Sequence, residues 1–129
     1  MKLTPKQKEF RKEIEKVYIE AEFITPGWDE IGSEIEGREK DIKEVVKGLI
    51  EMGVLIEVKY YKKPAIYHKT CIDKAQKILV DYLSEHKEVR LGVYRELINS
   101  TRKFATPVMV YFDRMGITER DGEIRRLKK

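Results

Sequence analysis

Apolar residues recur along the chain at two spacings, which predict helices alternating with short strands. Phe10, Ile14 and Tyr18 lie four residues apart and predict the buried face of a first helix, which Thr4-Pro5 begins as N-cap and first helical residue. The first half of the chain predicts three helices and then two strands, over about 4–21, 28–35, 38–52, 54–58 and 65–68.

The second half of the chain repeats this pattern at an offset of 63 residues. Met115-Gly116 matches Met52-Gly53, and Val108 and Phe112 match Val45 and Leu49. The repeat predicts helices over about 70–85, 92–98 and 101–115, an extended piece at 88–90, and a hairpin over 117–127 that turns at Asp121-Gly122.

Three helices followed by a hairpin are typical of a winged helix-turn-helix. We therefore predict a mainly α protein with small β-hairpins, built from two tandem winged-helix domains at 1–69 and 70–129. A single intertwined helical domain is the competing interpretation.

Composition narrows the class of protein. A hydrophobic share of 41% excludes wholesale disorder, and no apolar run approaches the ~18 residues that a membrane span needs. A single cysteine, Cys71, excludes an internal disulfide framework and suggests a reducing, cytoplasmic location. Side-chain amides are scarce while Lys, Arg and Glu abound, a composition that favours a thermophilic source.

The positive charge is confined to the second half. Residues 1–70 carry 14 basic and 14 acidic side chains, whereas residues 71–129 carry 13 basic and 9 acidic ones, which accounts for the whole net charge of +4. A surface that attracts a polyanion is therefore expected near the C-terminus, although a merely soluble surface would also fit so small an excess.

Sequence motifs of catalysis are missing from the chain. It has no phosphate-binding loop, no dinucleotide fingerprint and no nucleophile elbow. His68 and Cys71 supply only two potential metal ligands where a structural zinc site needs four. We therefore predict neither an enzyme nor a metal site.

The start of the last helix is the most informative segment. The N-terminus of the third helix in a helix-turn-helix attracts phosphate through its free N–H groups. The first repeat has acidic residues there, but the second has two hydroxyls and two cations, with further arginines before and after. The candidate nucleic-acid-binding residues are Arg90, Ser100, Thr101, Arg102, Lys103, Arg120, Arg125 and Arg126, followed by Lys128 and Lys129.

Two stretches resemble a known family. Leu97–Pro107, which contains Ser100-Thr101-Arg102-Lys103-Phe104-Ala105, and Tyr111–Gly122, which contains Phe112-Asp113-Arg114-Met115-Gly116-Ile117-Thr118, are similar to the C-terminus of bacterial selenocysteine-specific translation elongation factors. The resemblance is strong over about 70–127 and weaker but collinear before that.

The resemblance implies the third and fourth winged helices of such a factor, without its GTPase module. It implies that the last winged helix binds the messenger-RNA hairpin that recodes UGA as selenocysteine. The acidic residues at the equivalent helix start of the first winged helix predict that this one is a spacer or docking unit. It further implies a cytoplasmic monomer that needs no cofactor in this chain, GTP belonging to the GTPase module, and that reaches the ribosome through the parent factor. A tandem winged-helix DNA-binding regulator and a protein-docking scaffold remain the alternatives.

Overall fold

The computed structural model describes residues 3–60 and 63–128. The helices are α1 Pro5–Ala21, α2 Trp28–Glu34, α3 Glu39–Glu51, α4 Lys69–His86, α5 Leu91–Leu97 and α6 Arg102–Arg114. The strands are β1 Leu55–Val58, β2 Ala65–His68, β3 Val89–Arg90, β4 Thr118–Asp121 and β5 Ile124–Leu127. Within these residues, no helix is long and apolar enough to cross a membrane.

The 63-residue repeat predicted from the sequence is confirmed in the backbone. Helices α2 and α5, helices α3 and α6, and strands β1 and β4 have equal lengths and begin 63 positions apart. Their ends also match, because the N–H of Val54 donates to Leu49 and that of Ile117 donates to Phe112. The mainly α fold with small antiparallel hairpins therefore stands as predicted.

The first unit begins as its sequence indicates. Thr4 and Gln7 form a capping box at the start of α1, each side chain accepting a hydrogen bond from the other's backbone N–H. The apolar face of α1 then packs against α3 and the β1–β2 hairpin, around a buried core of Phe10, Ile14, Tyr18, Ile31, Ile35, Ile42, Val45, Val46, Leu49, Leu55 and Ile66.

The second unit differs from the first in its sheet. Strand β3 pairs with β5, so the hairpin becomes a three-stranded sheet in the order β3-β5-β4. Asp121 pairs with Ile124, which leaves Gly122 and Glu123 as the two-residue loop. The turn predicted at Asp121-Gly122 was therefore wrong by one residue: Gly122, with φ of 62°, takes the first loop position.

No linker separates the two units. Strand β2 ends at His68, and the same residue caps α4, since its Nδ1 accepts the N–H of Thr70. A histidine at the end of a strand thus supplies the acceptor at the start of α4. The second core also includes Phe23, Val58 and Tyr67 from the first unit, so the two units share buried surface.

Candidate nucleic-acid interface

The start of α6 presents the cations that the sequence predicted. Thr101 is the N-cap residue but makes no side-chain capping bond, and Arg102 is the first helical residue. Within the described part of the chain, the exposed guanidinium of Arg102 has no hydrogen bond or ion pair. The ammonium of the exposed Lys103 lies 5.3 Å from the ring centre of Phe104. Both cations are therefore available to an anion.

Ser100 has a partner inside the protein. Its hydroxyl donates to the carbonyl oxygen of Phe23 at 3.0 Å, which joins the turn before α6 to the loop between α1 and α2 in the first unit. The hydroxyl expected to contact RNA thus already holds the two units together.

The wing, which is the sheet of β3, β4 and β5, carries arginines. Most of these arginines form ion pairs with neighbouring carboxylates. Arg90 pairs with Glu123 at 3.1 Å, and Arg126 pairs with Asp121 at 2.8 Å and with Glu88 at 3.4 Å. The hydrogen bond to Asp121 is the main cause that raises the pKa of Arg126. The Nε of Arg120 donates to the carbonyl of Gly122. These three side chains lie on the sheet, whereas Arg102 and Lys103 lie at the helix start.

Arg125 differs from the other candidates because it is buried. It is 6% exposed, and its guanidinium donates to Asp113 from Nε at 3.3 Å and from Nη2 at 3.2 Å. The hydroxyl of Thr118 donates to the same carboxylate at 2.7 Å. This cluster joins the end of α6 to the wing, so the burial of Arg125 argues for a structural role rather than a direct contact with a nucleic acid.

Lys128 continues the hairpin, since its N–H donates to the carbonyl oxygen of Ile117, and Lys129 lies outside the described residues.

A cleft between the two units is the feature that sequence reasoning missed. This boundary cleft has a volume of about 650 Å³. One wall comes from the first unit and includes Thr25, Lys63 and Pro64, and the other comes from α6 and includes Arg102, Phe104 and Pro107. The residues of the two walls lie about forty to eighty positions apart in sequence, so the hydrophobic periodicity could not show that they meet.

The equivalent helix start of the first unit has a different charge. Glu39, at the position of Arg102, pairs with Lys43 on the same helix at 2.8 Å.

Among the described residues, no group of three or more His, Cys, Asp or Glu side chains could hold a metal ion.

Comparisons with known proteins agree with this geometry. Residues 81–127 match the family model described as "Elongation factor SelB, winged helix". The chain is 31% identical to a selenocysteine-specific elongation factor of Desulfomicrobium baculatum over 98% of its own length, and it spans 20% of the length of that relative.

Two solved structures share the fold. The mRNA-binding domain of elongation factor SelB from E. coli, in complex with SECIS RNA, matches with a TM-score of 0.78 and 18% identity over 98% of this chain and 100% of that one. A bacterial selenocysteine-specific elongation factor, EF-Sec, matches with a TM-score of 0.70 and 17% identity over 99% of this chain and 20% of that one. Residues 81–127 therefore match the winged helix of elongation factor SelB, and the chain as a whole is similar in sequence and in fold to the winged-helix part of selenocysteine-specific elongation factors.

Proposed function

We propose that this chain binds the selenocysteine-insertion hairpin of a messenger RNA and so recruits a selenocysteine-specific elongation factor for UGA recoding. It acts in the cytoplasm as a monomer, with the ribosome reached through the parent factor. Binding needs no nucleotide or metal on this chain, because GTP belongs to the parent's GTPase module.

The uncompensated cations at the start of α6 carry the proposal. Arg102 presents five N–H donors beside a helix N-terminus, an arrangement suited to phosphate or to the edge of a guanine. RNA hairpin loops offer splayed bases and bent backbone, which a short helix end can reach without entering a deep groove. The 31% identity to a selenocysteine-specific elongation factor supports this choice of RNA over a DNA operator.

The ion pairs of the wing define the contact set further. Arg90, Arg120 and Arg126 are exposed and can exchange their carboxylate or carbonyl partners for phosphate at small cost, because exposed pairs contribute only about 0–1 kcal/mol. Arg125 stays paired with Asp113 and positions the wing. Arg102 and Lys103 therefore provide specificity, and the wing adds affinity.

The test is a selection from RNA hairpins that share one stem and carry randomised loops, followed by competition against duplex DNA at several salt concentrations. We expect one loop family to be enriched and to stay bound at salt that releases the duplex. Arg102→Ala should weaken binding to the selected hairpin by about 1–3 kcal/mol and reduce discrimination between loops. Arg38→Ala, at the helix start of the first unit, is the matched control and should bind like wild type.

Equal affinity for the selected hairpin and for duplex DNA would contradict the proposal and favour the DNA-binding alternative. If Arg102→Ala weakens every loop variant equally, Arg102 is a phosphate contact and specificity lies elsewhere.

A further inference from the structure

The walls of the boundary cleft have the chemistry of a nucleotide site. Phe104, Pro107 and Pro64 supply apolar and aromatic surface from both units. The volume of about 650 Å³ falls in the ~300–1,000 Å³ range of small-molecule sites. Aromatic and apolar walls are where proteins place bases that have left the RNA stack.

Two polar groups beside the cleft lack the partners that they would ordinarily have. Thr25 is 5% exposed, and its Oγ1 is buried without a hydrogen-bond partner among the described residues. Pro107 has no N–H to donate to the carbonyl of Lys103, four residues earlier in α6. An unpaired buried hydroxyl is rare in folded proteins and calls for an explanation such as a missing ligand.

Cations from both units line the cleft. Lys63 comes from the β1–β2 loop, while Arg102 and Lys103 come from α6. Lys63 contacts Asp29 at 3.5 Å, but both side chains are about four-fifths exposed, so this pair can readily yield to a phosphate. The carboxylate that lines the cleft, Glu30, accepts the N–H of Gly27 at the start of α2. The cleft therefore carries a net positive charge.

We propose that the boundary cleft holds one unstacked nucleotide of the bound RNA, with its base between Phe104 and Pro64 and its phosphate at Lys63. This inference rests on the proposed RNA-binding function and deepens it. It also makes the first unit, which the sequence assigned to spacing or docking, a direct part of the RNA site.

The first test is the salt dependence of binding to the selected hairpin. Lys63→Ala should weaken binding and lower the slope of log affinity against log salt by roughly 0.7, the contribution of one phosphate contact. Lys47→Ala is the matched control, because this lysine is an exposed residue of α3 in the same unit and does not line the cleft.

The second test removes the unpaired hydroxyl. Thr25→Val keeps the shape of the side chain, so the free protein should unfold at a higher temperature because no unpaired hydroxyl is buried. The same variant should bind the hairpin several-fold more weakly, because the nucleotide loses a partner. A merely structural threonine would not shift stability and affinity in opposite directions.

Failure of the proposed RNA-binding function and failure of the nucleotide site give different results in these tests. If no hairpin is selected, the proposed function itself fails. If a hairpin binds and Arg102→Ala weakens it, the function stands. The nucleotide site is then overturned if Lys63→Ala behaves like Lys47→Ala, or if Thr25→Val binds the hairpin as tightly as wild type.

Discussion

The hydroxyl of Tyr67, in β2 of the first unit, donates a hydrogen bond of 2.6 Å to the carbonyl oxygen of Phe104, in α6 of the second unit. Tyr67 has no exposed surface, and its burial raises the pKa of the hydroxyl, which therefore remains a donor across the physiological pH range. Phe104 follows Arg102 and Lys103 directly, so this bond fixes the helix start that carries the free cations.

We expect Tyr67→Phe to lower the free energy of unfolding by about 1 kcal/mol, the net contribution of one hydrogen bond. It should also weaken RNA binding, because α6 loses an anchor beside Arg102. The control is Tyr94→Phe, which removes a hydrogen bond of 2.9 Å to the Ala75 carbonyl within the second unit. Both variants should show similar losses in urea unfolding, and only Tyr67→Phe should lose affinity. Equal affinity of the two variants would show that this anchor does not affect binding.

Replacing Arg125 and Arg102 by alanine should have opposite consequences. Arg125→Ala leaves the carboxylate of Asp113 without its buried cation, and we expect a loss of about 3 kcal/mol in the free energy of unfolding. Arg102→Ala removes an exposed side chain and should leave stability within about 0.5 kcal/mol of wild type while RNA affinity falls. Chemical unfolding and a binding titration on both variants make the comparison. A stable Arg125→Ala protein with weak RNA binding would instead place Arg125 among the contacts.

Gly37 should tolerate substitution far less than Gly53. Gly37 has φ of 146°, and an added Cβ would lie 2.6 Å from Cε1 of the buried Phe10 ring. Gly53 has φ of 78° with no atom within 4 Å of the added Cβ. Gly53→Ala should therefore cost about 1–2 kcal/mol of backbone strain alone, and Gly37→Ala clearly more. Thermal unfolding of the two variants would decide, and equal losses would mean that the Phe10 ring moves aside freely.

Stability should depend on Glu15 above, but not below, the titration range of this carboxyl. Partial burial alone would raise the pKa of Glu15, but hydrogen bonds from His68 at 2.9 Å and from Arg11 at 3.1 Å lower it below its ordinary value of 4.5. A lowered pKa in the folded state contributes stability above the ordinary value, and this contribution is lost as the pH falls through the folded value.

Glu15→Gln should therefore unfold more easily than wild type at pH 7, and the difference should shrink at about pH 3. Glu13→Gln, an exposed position on the same helix, serves as the control. A difference between Glu15→Gln and wild type that stays constant over this range would assign the effect to packing instead of ionisation.

Local signals in the sequence were sufficient for the helices, because their evidence lies within a few residues. The Thr4 and Gln7 capping box, the apolar spacing of α1 and the 63-residue repeat all predicted elements that the structure contains. The isolated cations at the start of α6 were also predictable, since they need no distant partner. Patterns within a few residues of sequence were therefore enough to predict the fold and the cations at the start of α6.

Tertiary partners were not predictable from those patterns. Nothing adjacent in sequence shows that the hydroxyl of Ser100 reaches Phe23, 77 residues earlier, or that His68 contacts Glu15, 53 residues earlier. In sequence, Arg125 cannot be told apart from the other arginines of the wing. In the structure, β5 directs its side chain toward Asp113. Long-range packing decided which charges are free, and the boundary cleft exists only because two distant segments meet.

His68, which belongs to both units, connects them without a flexible linker. His68 ends β2 and caps α4, so no stretch of free chain exists there to absorb a rotation. Turning one unit against the other would have to break this cap, or bonds such as those from Tyr67 to Phe104 and from Ser100 to Phe23. A force that bound RNA exerts on α6 would therefore be transmitted directly to the first unit.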